Sequence, residues 1–165
     1  MKKIVVFIII FAAIVISGQI KREENVGTVI INQAKIPDIK VRQMIKSCLE
    51  GEKGHVTEDI AVTLYADDDN MEKYRTLMAR LEGWGIKCTL RKETKENIFD
   101  FRALGELTIY IWEGEADDIY EAFLTRNATF YSTGFVDYEY DRFFSEGDFE
   151  RARELLFENI CMVEG

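Results

Sequence analysis

The 165-residue chain has one proline, Pro37, one histidine, His55, and three cysteines, Cys48, Cys88 and Cys161. A lone histidine excludes a histidine-cluster metal centre, and His55 itself lies in a glycine-flanked loop, where surface histidines are common. The cysteines cannot all pair within one chain, and none falls at C-x-x-C or zinc-type spacing. Each stands among apolar neighbours, which reads as a small buried hydrophobe. No G-x-S-x-G, H-E-x-x-H, phosphate-binding glycine loop or G-x-G-x-x-G occurs. No catalytic residue, metal ligand or cofactor is therefore assigned.

Basic residues are scarce where the aromatics gather. Residues 103–165 hold 4 Lys and Arg against 15 Asp and Glu, a net of −11, and carry 13 of the 20 aromatic residues. Residues 18–102 balance at 15 against 15. Carboxylates repel phosphates, so nucleic-acid binding is excluded. The asymmetry favours a basic protein partner or calcium. It is also what a solvated acidic surface over an aromatic core would give.

What is present is ordinary globular material for one domain, 47% hydrophobic and 31% charged. Lys2 and Lys3 precede 17 uncharged residues, Ile4 to Ile20. As a helix these would reach about 25 Å, the lower limit for spanning hydrocarbon. Residues 1–20 are thus expected to form an N-terminal apolar helix, either a signal peptide or a single-pass membrane anchor. The expected location is the membrane, single-pass with the domain outside the cytoplasm; the alternative is secretion after cleavage near Ser17. Residues 21–36 read as a tether with a brief edge strand at Val29-Ile30-Ile31, and residues 37–165 as a single α+β domain.

Within that domain the periodicity alternates. Pro37 and Asp38 introduce a helix with Val41, Met44, Ile45, Cys48 and Leu49 at helical spacing. Ile60, Val62 and Leu64 alternate as a strand. Asp67-Asp68-Asp69-Asn70 opens a helix with Tyr74, Leu77, Met78 and Leu81 on one stripe, and the dense carboxylates read as helix capping. Ile86, Cys88 and Leu90 alternate again. A charged linker from Lys92 to Leu104 leads to a third strand with Leu107, Ile109 and Ile111. A further helix is expected with Ala116, Ile119, Tyr120, Phe123 and Leu124 inward, then a fourth strand within 129–140, the alternative being a helix from Tyr138 to Ser145 that would leave a three-stranded sheet. Gly147-Asp148 begins a final helix. The order is that of a ferredoxin-like βαββαβ antiparallel sheet with an extra amphipathic helix at each end. Its second sheet face would carry Tyr65, Lys87, Thr89, Arg91, Thr108, Tyr110 and Trp112.

The function expected from these features is a non-enzymatic, membrane-tethered or exported protein-interaction module. Its binding surface would comprise Tyr110, Trp112, Tyr138, Glu139, Tyr140 and Asp141, aromatic anchors among charges. One alternative is a small acidic inhibitor or immunity-type protein that neutralises a basic partner. The other is a carboxylate-dependent hydrolase or calcium-dependent sugar binder, with Asp137, Glu139 and Asp141 on one strand face.

Overall fold

The computed structural model describes residues 25–115 and 117–165. Two sheets organise a mixed α+β fold. In the first, strand β1 (Val29–Ile31) is central and pairs antiparallel with β4 (Ile109–Ile111) on one side and β5 (Met162–Val163) on the other. In the second, β2 (Ala61–Ala66) pairs in parallel with β3 (Lys87–Lys92), from Ala61 opposite Lys87 to Ala66 opposite Lys92.

Side chains alternate across the first sheet, and each of its faces closes a separate core. Val29, Ile31, Ile109, Ile111 and Val163 point into the first core, while Ile30, Tyr110 and Met162 point into the second. Helices α1 (Ile39–Leu49) and α2 (Met71–Gly83) fill the first core with Ile45, Cys48, Leu49, Tyr74, Leu77 and Leu81. Asp38 caps α1 by accepting from Lys40 N–H at 2.8 Å. The second core is built from the aromatic-rich C-terminal part. There Phe123, Phe135 and Tyr140 meet edge to face, a favoured arrangement of aromatic rings.

α3 (Lys95–Ala103) replaces the expected linker. Thr94 caps it by accepting from Asn97 N–H at 3.2 Å. Short 3-10 turns at Asp117–Ile119, Glu121–Phe123 and Thr125–Asn127 replace the expected helix over this stretch, with Ile119, Phe123 and Leu124 buried as anticipated; Ala116 lies outside the described residues. α4 (Ala128–Tyr131), α5 (Tyr138–Glu146) and α6 (Phe149–Asn159) complete the helices. Asp148 caps α6, as Gly147-Asp148 predicts. At the end of α6, Ile160 adopts φ 52°, a left-handed conformation unfavourable for a β-branched residue. It is held there with its side chain 4% exposed in the first core.

The ferredoxin-like expectation is corrected in three places. First, the split βαβ needs a strand between its two parallel strands, whereas β2 and β3 pair directly. Second, β4 is preceded by α3 and pairs with β1, so Val29–Ile31 is a central strand instead of an edge. Third, the stretch 129–140 contains no strand: Asp137 caps α5 by accepting from the N–H groups of Glu139 and Tyr140, which starts a helix where alternating Tyr and acidic residues suggested a strand. Just upstream, Gly134 has φ 71° and lies so close to Ala34 that a Cβ would sit 2.3 Å from the Ala34 nitrogen.

The single-pass membrane placement is corrected as well, since among the described residues no helix is long and apolar enough to cross a membrane. The apolar segment 4–20 and its expected helix lie outside the described residues.

Candidate functional site

A cleft of about 290 Å³ opens at the carboxyl ends of β2 and β4. Asp67 directly follows β2, and Trp112 and Glu113 directly follow β4; all three line the cleft. α3 supplies the facing wall through Lys95, Ile98, Phe99 and Arg102, and Tyr131 of α4 closes one end.

The aromatic wall is fixed by its neighbours. Trp112 Nε1 donates to the Glu115 carbonyl at 3.1 Å, and its ring lies over Gly114, where a Cβ would come within 2.6 Å of it. Any side chain at Gly114 would force the indole to move. Trp112 and Tyr131 have ring centroids 5.6 Å apart, and the Tyr110 hydroxyl donates to the Tyr131 carbonyl at 3.2 Å.

The charged groups differ in how far they are already satisfied. The Asp67 carboxylate, only 5% exposed, accepts from Asp69 N–H at 2.9 Å and Asn70 N–H at 3.0 Å. This closes the turn before α2; the N-cap itself, Asn70, makes no side-chain capping bond, so the cluster shapes the turn and does not cap the helix as the sequence suggested. Asp69 pairs with Lys95 at 2.8 Å and Asp68 with Lys92 at 2.6 Å. The hydrogen bond and charge of Lys95 hold the Asp69 carboxyl below its ordinary range. Glu113 is an exposed residue whose carboxyl is partly enclosed; burial, reinforced by the Asp67 charge, holds it above the ordinary glutamate range. Arg102 lies with its guanidinium carbon 5.3 Å from the Phe99 ring centroid and 5.2 Å from that of Tyr131.

Of the six residues expected to form one binding surface, only Trp112 lines this cleft. Tyr110 is 3% exposed and Tyr140 fully buried, the latter donating its hydroxyl to the Tyr120 carbonyl at 2.7 Å. Tyr138 is exposed on α5, and Glu139 pairs with Arg142 at 3.2 Å. Asp141 accepts from Thr125 N–H at 3.0 Å and borders a different cavity, of about 220 Å³. Helical geometry turns Glu139 away from Asp137 and Asp141, so the three carboxylates do not share the one face that a strand would have given them. Among the described residues, no group of three or more His, Cys, Asp and Glu side chains is placed to hold a metal ion. His55 packs against Gly85, away from the cleft. All three cysteines are free.

Arg102, Lys95 and Phe99 were not legible as site residues, because the stretch 92–104 reads as a linker. The available signal was local: Thr94 before Glu96, with Ile98 and Phe101 three residues apart and Arg102 near the end, is a short capped helix.

No family model matches the chain, and no curated protein matches it in sequence. Solved structures do match it in fold. The periplasmic murein tripeptide-binding protein MppA, in its unliganded open form, superposes with a TM-score of 0.62 at 13% identity, over 84% of this chain and 41% of its own. A periplasmic oligopeptide-binding protein of an oligopeptide ABC transporter from Borrelia burgdorferi superposes with a TM-score of 0.54 at 16% identity, over 81% of this chain and 39% of its own. The chain thus has the fold of a portion of these proteins and spans about two fifths of their length. At such identities the likeness is one of fold.

Proposed function

We propose that this chain is a non-enzymatic binding module that receives a peptide, free or as a segment of another protein, in the cleft at the carboxyl ends of β2 and β4. The observation that carries the reading is the lining of that cleft. Three aromatic rings, Phe99, Trp112 and Tyr131, stand beside both signs of charge, Arg102 and Lys95 against Asp67, Glu113 and Asp118. Apolar walls with a few directed polar groups are the usual make-up of a ligand-binding pocket. The fold shared with two peptide-binding proteins adds support. The acidic balance of residues 103–165 would add attraction for a ligand that also carries basic side chains.

Pools of tetrapeptides test this through thermal stability and tryptophan fluorescence. A ligand that binds only the folded state raises Tm, and Trp112 should report occupation. Phe99→Ala and Trp112→Ala should weaken binding about tenfold or more, as truncated aromatic anchors do. Unchanged Tm and fluorescence at millimolar peptide would overturn the reading.

A further inference from the structure

Two cations line the cleft, in different situations. Lys95 is neutralised by Asp69 at 2.8 Å. The Arg102 guanidinium carbon lies 5.3 Å from the Phe99 ring centroid and 5.2 Å from that of Tyr131, and among the described residues the side chain forms no ion pair and its Nε is buried with no hydrogen-bond partner. Rings attract a cation through their π faces but offer no lone pair to its N–H groups. The buried Nε is closed to a ligand, but the guanidinium lines the cleft and its charge has no ion-pair partner among the described residues, which an anion in the cleft can supply.

We infer that Arg102 is the receptor for a free carboxylate, carried on a ligand residue whose side chain packs against Phe99, Trp112 and Tyr131. The inference rests on the reading of the cleft as a peptide site and names the ligand group it recognises. A carboxylate is the planar, two-oxygen acceptor that matches a guanidinium fork, and it supplies the charge that the rings do not. The cleft's own carboxylates leave this position open. Asp67 is engaged by the N–H groups of Asp69 and Asn70, and among the described residues Glu113 forms no ion pair with Arg102. The volume of about 290 Å³ is at the lower end of ligand cavities, roughly 300 to 1,000 Å³. It admits the one residue that bears the carboxylate, and the remainder of a peptide would leave past Phe99, which is 47% exposed.

The same carboxylate could come from a peptide C-terminus or from a small carboxylic acid. Isothermal titration of the full chain separates them with three probes: a tetrapeptide pool with free C-termini, the same pool as C-terminal amides, and N-acetylphenylalanine. The free-acid pool should bind about tenfold or more tighter than the amides, the scale of a charged hydrogen-bonded pair. Arg102→Gln should abolish that preference and Arg102→Lys should restore part of it. Equal affinity for acid and amide would overturn the carboxylate assignment while leaving the peptide reading in place. If N-acetylphenylalanine binds as tightly as the peptides, the carboxylate assignment stands and the peptide reading falls. Failure of all three probes to bind would overturn both. Should Arg102→Gln fail to fold, the comparison of acid and amide on the unaltered chain decides the matter by itself.

Discussion

The Tyr74 hydroxyl accepts a hydrogen bond from the Ile111 backbone N–H at 3.1 Å. Through this contact α2, which packs on β2 and β3, also reaches β4 of the other sheet. Ile111 pairs with Val29 on its other side, so the phenol oxygen takes the place that a further strand's carbonyl would occupy. The next residues of the chain, Trp112 and Glu113, enter the cleft. The junction between the two sheets therefore sets where the cleft's wall begins.

Tyr74→Phe keeps the ring in the first core and removes only the acceptor. Both residues are buried, at 2% and 4% exposure, so the Ile111 N–H would be left dry and unpaired. A loss of about 1 to 3 kcal/mol is expected. Urea unfolding checks it, and an unchanged m-value would show that the native and unfolded ensembles keep their compactness.

Arg42 is 3% exposed and faces carbonyls, with no carboxylate partner among the described residues. Its Nη1 donates to Ile36 and Pro37 at 2.6 and 2.8 Å, and its Nε to Asn159 at 3.0 Å. It ties the segment before α1 to the end of α6. Arg42→Met preserves the apolar stem but strips donors from all three carbonyls, and should cost about 3 kcal/mol. Arg42→Lys should lose less, and chemical denaturation of the two variants side by side measures the difference.

Glu113 supplies a pH dependence of stability. Burial and the Asp67 charge raise its folded pKa, while Lys95, Arg102 and Lys73 act in the opposite sense without cancelling the rise. The folded state therefore binds this proton more tightly than the unfolded state. Stability from the group is present below the ordinary glutamate pKa and is lost as pH rises through the elevated one. Glu113→Gln should accordingly raise Tm at pH 7 and leave it nearly unchanged at pH 3. A thermal melt series across that interval tests the sign, and a lower Tm for the variant at pH 7 would refute it.

The thiols should be inert in the folded chain. Burial pushes Cys48 up to about 11 against the lowering effect of Arg80. It pushes Cys88 up to about 12, with help from Glu82. Cys161 also rises to about 12 through burial, opposed by Arg42. The thiolate is the reactive form, so iodoacetamide labelling at pH 8 should be slow for all three and become rapid in denaturant. Mass spectrometry of labelled peptides follows each site separately.

What the amino-acid order determined by itself was local. Asp38 and Asp148 mark the starts of α1 and α6, and the stripe Tyr74, Leu77, Leu81 defines α2, because capping bonds and helical faces depend on residues within a few positions of one another. The alternation of Val62 with Leu64 and of Cys88 with Leu90 likewise shows β2 and β3, since one face of each is wetter than the other. Only the tertiary structure decided the strand partners. Val29–Ile31 and Ile109–Ile111 are buried on both faces, so their composition carries no alternation to indicate a neighbour, and their pairing joins residues about eighty positions apart in the chain. In the stretch 129–140 the Asp137 cap is local, but the packing of Phe135 and Tyr140 against Phe123 joins positions far enough apart that only the tertiary structure decides it. Arg102 shows the consequence for the site. As a residue in a charged segment it gives no signal of a site, and only the docking of α3 beside Tyr131 brings its guanidinium close to both the Phe99 and Tyr131 rings in the cleft.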